Sequence, residues 1–224
     1  MKVSILQFPG TNCEYDTKYA FEMLGAQTQI VWHKATSIPE DTSLLVVAGG
    51  FSYGDYLRSG AIAKFSPVMQ AVKEYAAKGG KILGICNGFQ VLTEAGLLPG
   101  ALKRNESLHF LSKHHHLKVE NNDNVFLTKL AKGDVVNIPI AHHDGNYYID
   151  EAGLAELYAN NQVLLKYCDA EGATKNPNGS VDAIAGVCNK EKTVFGLMPH
   201  PERAMEALLG SNDGVKMLQG FLEA

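Results

Sequence analysis

The 224-residue chain carries 20 Lys and Arg against 24 Asp and Glu, a formal charge of −4, with 46% hydrophobic and 20% charged residues. These proportions describe a soluble globular protein and exclude collagen-like and low-complexity chains. The slightly acidic balance argues against nucleic acid or an anionic membrane as the main partner. Four cysteines with no C-x-x-C pair and no zinc-finger spacing point to a reduced, cytoplasmic setting rather than a disulfide scaffold. No apolar run approaches the roughly 20 residues of a membrane span, and MKVSILQFPG is too short in apolar residues for a signal peptide.

In chain order, the near-continuous apolar run 2–8 predicts a strand, followed by a helix from Thr11–Asn12 to Leu24 that Gly25 stops. Strands follow at 28–33 and 43–48. Ser66–Pro67 reads as the N-cap and first-turn pair of a helix through Ala77. KILGI (81–85) is a strand and 87–95 a helix closed by Gly96. Apolar strands alternating with helices predict a parallel sheet covered on both faces. From about 105 to 198 the texture changes to short strands (HHLKVEN, DVVNIPIA, QVLLKYC, DAIAGVC, TVFGLM) with an Asn178–Gly179 turn among them. Helical patterns at 201–209 and 213–223 complete the chain, and nothing divides it: one domain over 1–224 is expected.

Gly84-Ile85-Cys86-Asn87-Gly88 has the form G-x-C-x-G between a strand and a helix, a nucleophile elbow with Cys in the Ser position. A nucleophile on such a turn is strained, and residues two positions away must lack bulk for it to close. The N-terminus of the following helix favours thiolate at Cys86. Most isolated cysteines are small buried hydrophobes, and Cys168 and Cys188, which end apolar strands, read that way. Cys13, at a helix start near the carboxyl edge of the sheet, is within reach of the site, but the reading as a bystander carries more weight.

A thiol nucleophile needs a base. His114, His115 and His116 stand in a strand, where neighbouring side chains alternate faces and do not converge on a metal. His200 lies in Met198-Pro199-His200-Pro201-Glu202. The prolines hold that stretch extended, so Glu202 faces the same way as His200 and is placed to orient its imidazole. The competing account is a proline-rich turn with a capping Glu. Gly49-Gly50-Phe51-Ser52-Tyr53-Gly54-Asp55 follows a strand without a phosphate-loop pattern. Gly50 N–H completing an oxyanion hole with Asn87 N–H is the better account of this loop, a flexible strand-to-helix connection the competing one. All three pieces fall at the carboxyl ends of strands, where parallel sheets assemble their sites.

GICNGFQVL (84–92) with Pro-His-Pro-Glu near the end resembles the class I, triad-type glutamine amidotransferases. Over nearly the whole chain, FPGTNCEYD (8–16), GGFSYGDYLRSGAIA (49–63), LPGALKRNESLHF (98–110), IAHHDGNYY (140–148), NPNGS (176–180) and GLMPHPERA (196–204) are similar to those members that serve purine biosynthesis as the glutaminase subunit of a synthase. His143 and Asp144 depart from the Gly and Glu common there. The resemblance implies a flavodoxin-like α/β fold with a mostly parallel central sheet, helices on both faces and an added antiparallel section. It implies Cys86, His200 and Glu202 as catalytic, Gly50 and Asn87 as the oxyanion hole, and Gly49, Gln90, Arg104, Asn105, Ser107 and His142 as contacts to glutamine. It implies no metal or cofactor on this chain, ATP and Mg being used by a large synthetase subunit, with a small accessory subunit besides. The chain alone is expected to be slow, and the loop near 51–60, with Tyr53, Tyr56 and Arg58, is a candidate docking surface. A stand-alone elbow-cysteine hydrolase (γ-glutamyl hydrolase-, peptidase- or deglycase-like) and a non-catalytic regulatory module are the alternatives.

Overall fold

A computed structural model describes residues 1–222. Its elements, in order, are β1 (Lys2–Gln7), α1 (Glu14–Met23), β2 (Gln27–Trp32), β3 (Leu44–Val47), α2 (Val68–Ala77), β4 (Lys81–Ile85), α3 (Asn87–Glu94), β5 (Ala101–Lys103), β6 (Leu111–Val119), β7 (Val135–His142), β8 (Asn146–Tyr148), α4 (Glu151–Ala159), β9 (Val163–Cys168), β10 (Ile184–Cys188), β11 (Val194–Leu197) and α5 (Asp213–Gln219).

Nine strands form one sheet in the order β2-β1-β3-β4-β11-β10-β9-β6-β7. The first five run parallel, and from β11 outward every pairing is antiparallel. The change of texture read near residue 105 is this boundary in the sheet, with one exception: β11 returns late in the chain to lie beside β4, Gly196 opposite Gly84. β3 and β11 are buried along their whole length, and a strand buried on alternating sides has cover on both faces.

Three expectations are corrected. Residues 151–159 form a helix, not part of a strand series: Asp150 Oδ1 caps it by accepting from Gly153 N–H at 2.7 Å. Residues 201–209 are not one helix. Pro201–Arg203 make a single 3-10 turn, Ala204 leaves helical geometry, and a second turn spans Ala207–Leu209. Close packing of α5 accounts for this: a methyl group on Gly214 would lie 2.0 Å from the Pro201 carbonyl oxygen, and Gly214 N–H donates to Ala204 O. The Ser66 hydroxyl does not cap α2; it hydrogen-bonds Tyr53 Oη at 2.8 Å. The last helical pattern is borne out by α5 and a 3-10 turn to Leu222, and its residue 223 lies outside the described residues.

Candidate active site

Four loops leave the carboxyl ends of neighbouring strands β1, β3, β4 and β11 and meet above the sheet. Cys86 joins β4 to α3 with φ 51° and ψ −107°, a left-handed conformation that costs a β-carbon-bearing residue energy. The flanking glycines make it possible. A methyl on Gly84 would sit 2.6 Å from Leu92 Cδ1, and one on Gly88 would sit 1.8 Å from the Val47 carbonyl oxygen. The elbow is therefore wedged between α3 and β3, and Cys86, 6% exposed, has its Sγ 3.6 Å from Ala141 O.

His200 and Glu202 are 2% and 3% exposed, and His200 Nδ1 donates to Glu202 Oε1 at 2.6 Å. Their common orientation comes from the 3-10 turn starting at Pro201, not from an extended segment as the sequence suggests. Burial by itself would lower the His200 pKa; the carboxylate of Glu202, and then Cys86, override this and hold it well above its ordinary value. Gly49 lies under the assembly: a β-carbon there would be 3.0 Å from His200 Cε1 and 3.4 Å from Cys86 Cβ. The N–H groups of Gly50 and Asn87 make no hydrogen bond among the described residues, Gly50 holding φ 145° while Phe51 N–H donates to Gly10 O beside it.

The expected glutamine contacts fall into two groups. Asn105 is fully buried with every polar atom used inside the chain: Nδ2 donates to His109 O and His142 O, and Oδ1 accepts from Gly145 N–H and His142 Nδ1. Gln90 is likewise a tie, accepting from Asn87 Nδ2 at 2.8 Å and donating to Asp144 O at 2.8 Å. Through these bonds the two residues hold the 142–145 loop against α3. Arg104 and Ser107 are exposed, Arg104 Nε lying 3.8 Å from Asp144 Oδ1. His142 is buried with Nε2 unpartnered, and burial, reinforced by His200, lowers its pKa to about 4.

Cys13, given little weight beside the nucleophile although its position put it within reach of the site, is placed there by the structure. Its Sγ lies 3.2 Å from the position of a Gly49 β-carbon, on the same spot as His200 and Cys86, and accepts from Arg203 Nη2 at 3.1 Å. Arg203 Nε in turn donates to Asp16 Oδ2 at 3.0 Å. The positional signal behind that reach was sound: Cys13 follows the first strand of a parallel sheet, as Gly49, Cys86 and His200 follow others. In the 51–60 loop, Tyr53 turns inward, its hydroxyl on His33 Nδ1 and Ser66 Oγ, and Arg58 pairs with Glu94. Tyr56 and Leu57 remain 74% and 89% exposed.

A cysteine on a strained elbow beside a buried His–Glu pair and two free N–H donors has the parts that acyl transfer uses. Residues 1–216 match the family model of the CobB/CobQ-like glutamine amidotransferase domain, and the chain is a member of that class of enzymes. It is 80% identical over 224 residues, all of both chains, to phosphoribosylformylglycinamidine synthase subunit PurQ of Sulfurimonas denitrificans. To the PurQ of Wolinella succinogenes it is 62% identical over 221 residues, 99% of each chain. Among solved structures, PurLQS of Thermotoga maritima contains a chain that superposes with a TM-score of 0.89 at 42% identity, over 99% of this chain and 97% of that one. The chain belongs to the PurQ family of phosphoribosylformylglycinamidine synthase subunits. No helix among the described residues is long and apolar enough to cross a membrane.

Proposed function

We propose that the chain hydrolyses glutamine to glutamate and ammonia through Cys86, His200 and Glu202, and delivers the ammonia to a PurL synthetase subunit that acts with PurS. The observation that carries this reading is the buried 2.6 Å His200–Glu202 pair set against a cysteine whose backbone conformation only an elbow supplies. Cys86 sulfur attacks the carboxamide carbon of glutamine, and the Gly50 and Asn87 N–H groups receive the negative charge that develops on oxygen. His200, protonated and held by Glu202, gives its proton to the departing nitrogen, so ammonia leaves and a glutamyl thioester remains. His200 then takes a proton from water, whose oxygen attacks the thioester carbonyl; the thiol is expelled and glutamate is released. No metal or cofactor on this chain takes part; ATP and Mg belong to the synthetase chain, which converts formylglycinamide ribonucleotide to formylglycinamidine ribonucleotide in the cytoplasm.

The site is nearly closed in the chain alone, with nucleophile, base and orienting acid each under 7% exposed. Binding of PurL at the 51–60 loop is proposed to open it. Leu57 there holds φ 69° with its side chain in solvent, an arrangement that costs energy in isolation and favours a partner that covers it. The test is glutamate release by the purified chain with and without PurL and PurS. Slow release alone, stimulation by the partners, and loss with Cys86→Ala support the reading. Full activity alone removes the gating, and an active Cys86→Ala variant removes the mechanism.

A further inference from the structure

The catalytic pair does not stand alone. Among the described residues one set of metal-ligating side chains converges: Cys13, His200 and Glu202 each offer an atom, and the three atoms lie within 4.8 Å of one another. All three residues are buried. His200 Nε2 and Glu202 Oε2 have no hydrogen-bond partner among the described residues, so two buried polar atoms of the set have unused capacity for a ligand. We propose that Cys13, His200 and Glu202 form a binding site for a thiophilic divalent cation, Zn2+, and that its occupancy turns the glutaminase off.

The donor set is the reason for zinc. One sulfur, one imidazole nitrogen and one carboxylate oxygen are the three kinds of ligand zinc takes. Bonds of about 2.0–2.3 Å in a tetrahedral arrangement bring such atoms to about 3.5 Å apart, so from separations within 4.8 Å the side chains close by about 1.3 Å at most. Hard cations such as Mg2+ prefer all-oxygen cages and do not suit a thiol. On binding, the Cys13 thiol releases its proton to solvent, and the sulfur forms the metal bond. Arg203, 3.1 Å from that sulfur and tied to Asp16, offers an N–H to the thiolate and keeps it oriented. Charge is then balanced: the metal's two positive charges meet the thiolate and Glu202, and Arg203 meets Asp16.

Inhibition follows whichever imidazole nitrogen is used. Metal on Nε2 displaces the proton that nitrogen carries in the imidazolium, which goes to solvent, and then occupies the lone pair that would take it back. Metal on Nδ1 displaces the proton shared with Glu202 and leaves the remaining one on Nε2, with the same result. This last step rests on His200 being the acid and base of the proposed reaction, whereas the binding site itself does not. The effect needs no second metal and no contact with Cys86.

The experiment uses the full chain under anaerobic conditions, with Co2+ as a spectroscopic stand-in for zinc, and glutaminase assays in the presence of the partner subunits. The expected result is a sulfur-to-cobalt charge-transfer band saturating at one equivalent, retained in Cys86→Ala and absent in both Cys13→Ser and Cys13→Ala. Zinc is expected to inhibit the wild type reversibly by chelator, and at least tenfold more zinc to be needed for Cys13→Ala. Circular dichroism and thermal melting of both Cys13 variants establish that they are folded, and two replacements of different polarity guard against a local defect in one. A band that persists without Cys13, or that vanishes with Cys86→Ala, overturns the site. A site intact by cobalt with no effect of zinc on turnover instead overturns the inhibitory role and calls the assignment of His200 into question.

Discussion

Gly88 on α3 and Val47 on β3 approach so closely that a methyl group on the glycine would lie 1.8 Å from the valine carbonyl oxygen. That contact is with backbone, which has no rotamer to retreat into. Gly88→Ala must therefore push α3 off the sheet, at a cost of about 3 kcal/mol, or roughly 10 °C in a thermal melt of a chain this size. Because α3 carries the Asn87 N–H, glutaminase activity is expected to fall further than stability does. A melting temperature unchanged within error would show that the elbow is not wedged.

Replacing Glu202 by Gln leaves a group of the same shape on His200 Nδ1 but removes the charge that holds the imidazole protonated. kcat is expected to fall between about 10- and 1000-fold with a much smaller change in KM, since the residue acts on the base and not on substrate. The His200 resonances should titrate at lower pH in the variant. Steady-state kinetics and NMR titration check the two halves separately.

Asp55 sits partly buried at the tip of the 51–60 loop. Burial raises its pKa to about 6, against the Ser59 hydroxyl that lowers it and with the Asp144 carboxylate adding to the rise. A carboxyl whose folded pKa exceeds its unfolded value near 3.8 contributes stability below that value and loses it as pH rises through about 6. Above pH 6 the charged form is a burden. Asp55→Asn is expected to be more stable than the wild type by about 1 kcal/mol at pH 8, the partial exposure of the group limiting the effect, and no more stable at pH 4. Urea unfolding at the two pH values reads the difference directly.

His142 has the opposite sign. Burial, with the charge of His200, lowers its pKa to about 4. Its neutral form contributes stability in full above pH 6.5, lost progressively as pH falls towards 4. Acid unfolding should begin in that window, and His142→Gln, which keeps a donor for Asn105 Oδ1, should weaken the dependence. A midpoint and slope unchanged from wild type would place the acid sensitivity elsewhere.

What the sequence revealed and what it hid divide along a physical line. Gly84, Cys86 and Gly88 are legible because a strained turn restricts the residue types at fixed spacing. The parallel strands are legible because burial on both faces leaves them almost wholly apolar. Cys13 carried too little weight because its partner Arg203 is brought to it by the fold across 190 positions. The hydrogen bonds of Asn105 and Gln90 to the 142–145 loop were not legible, because that demand appears only once the loop has its path. The helix at 151–159 was hidden by Gly153 and by strands on either side, although Asp150 is a good cap by residue type.

Arg203 on Asp16 and Tyr19 on Glu206 each tie together residues 187 positions apart. Those ties bind the first helix to the turn that carries the imidazole and its acid, so the nucleophile at position 86 leaves the ribosome long before its base can reach it. A nascent chain holding β1 through α3 already displays a cysteine elbow but has no means to protonate a leaving nitrogen. Translation thus separates the two halves of the site: the cysteine elbow is made first, and the base and its acid join it only when residues 200–206 have folded back onto the first helix.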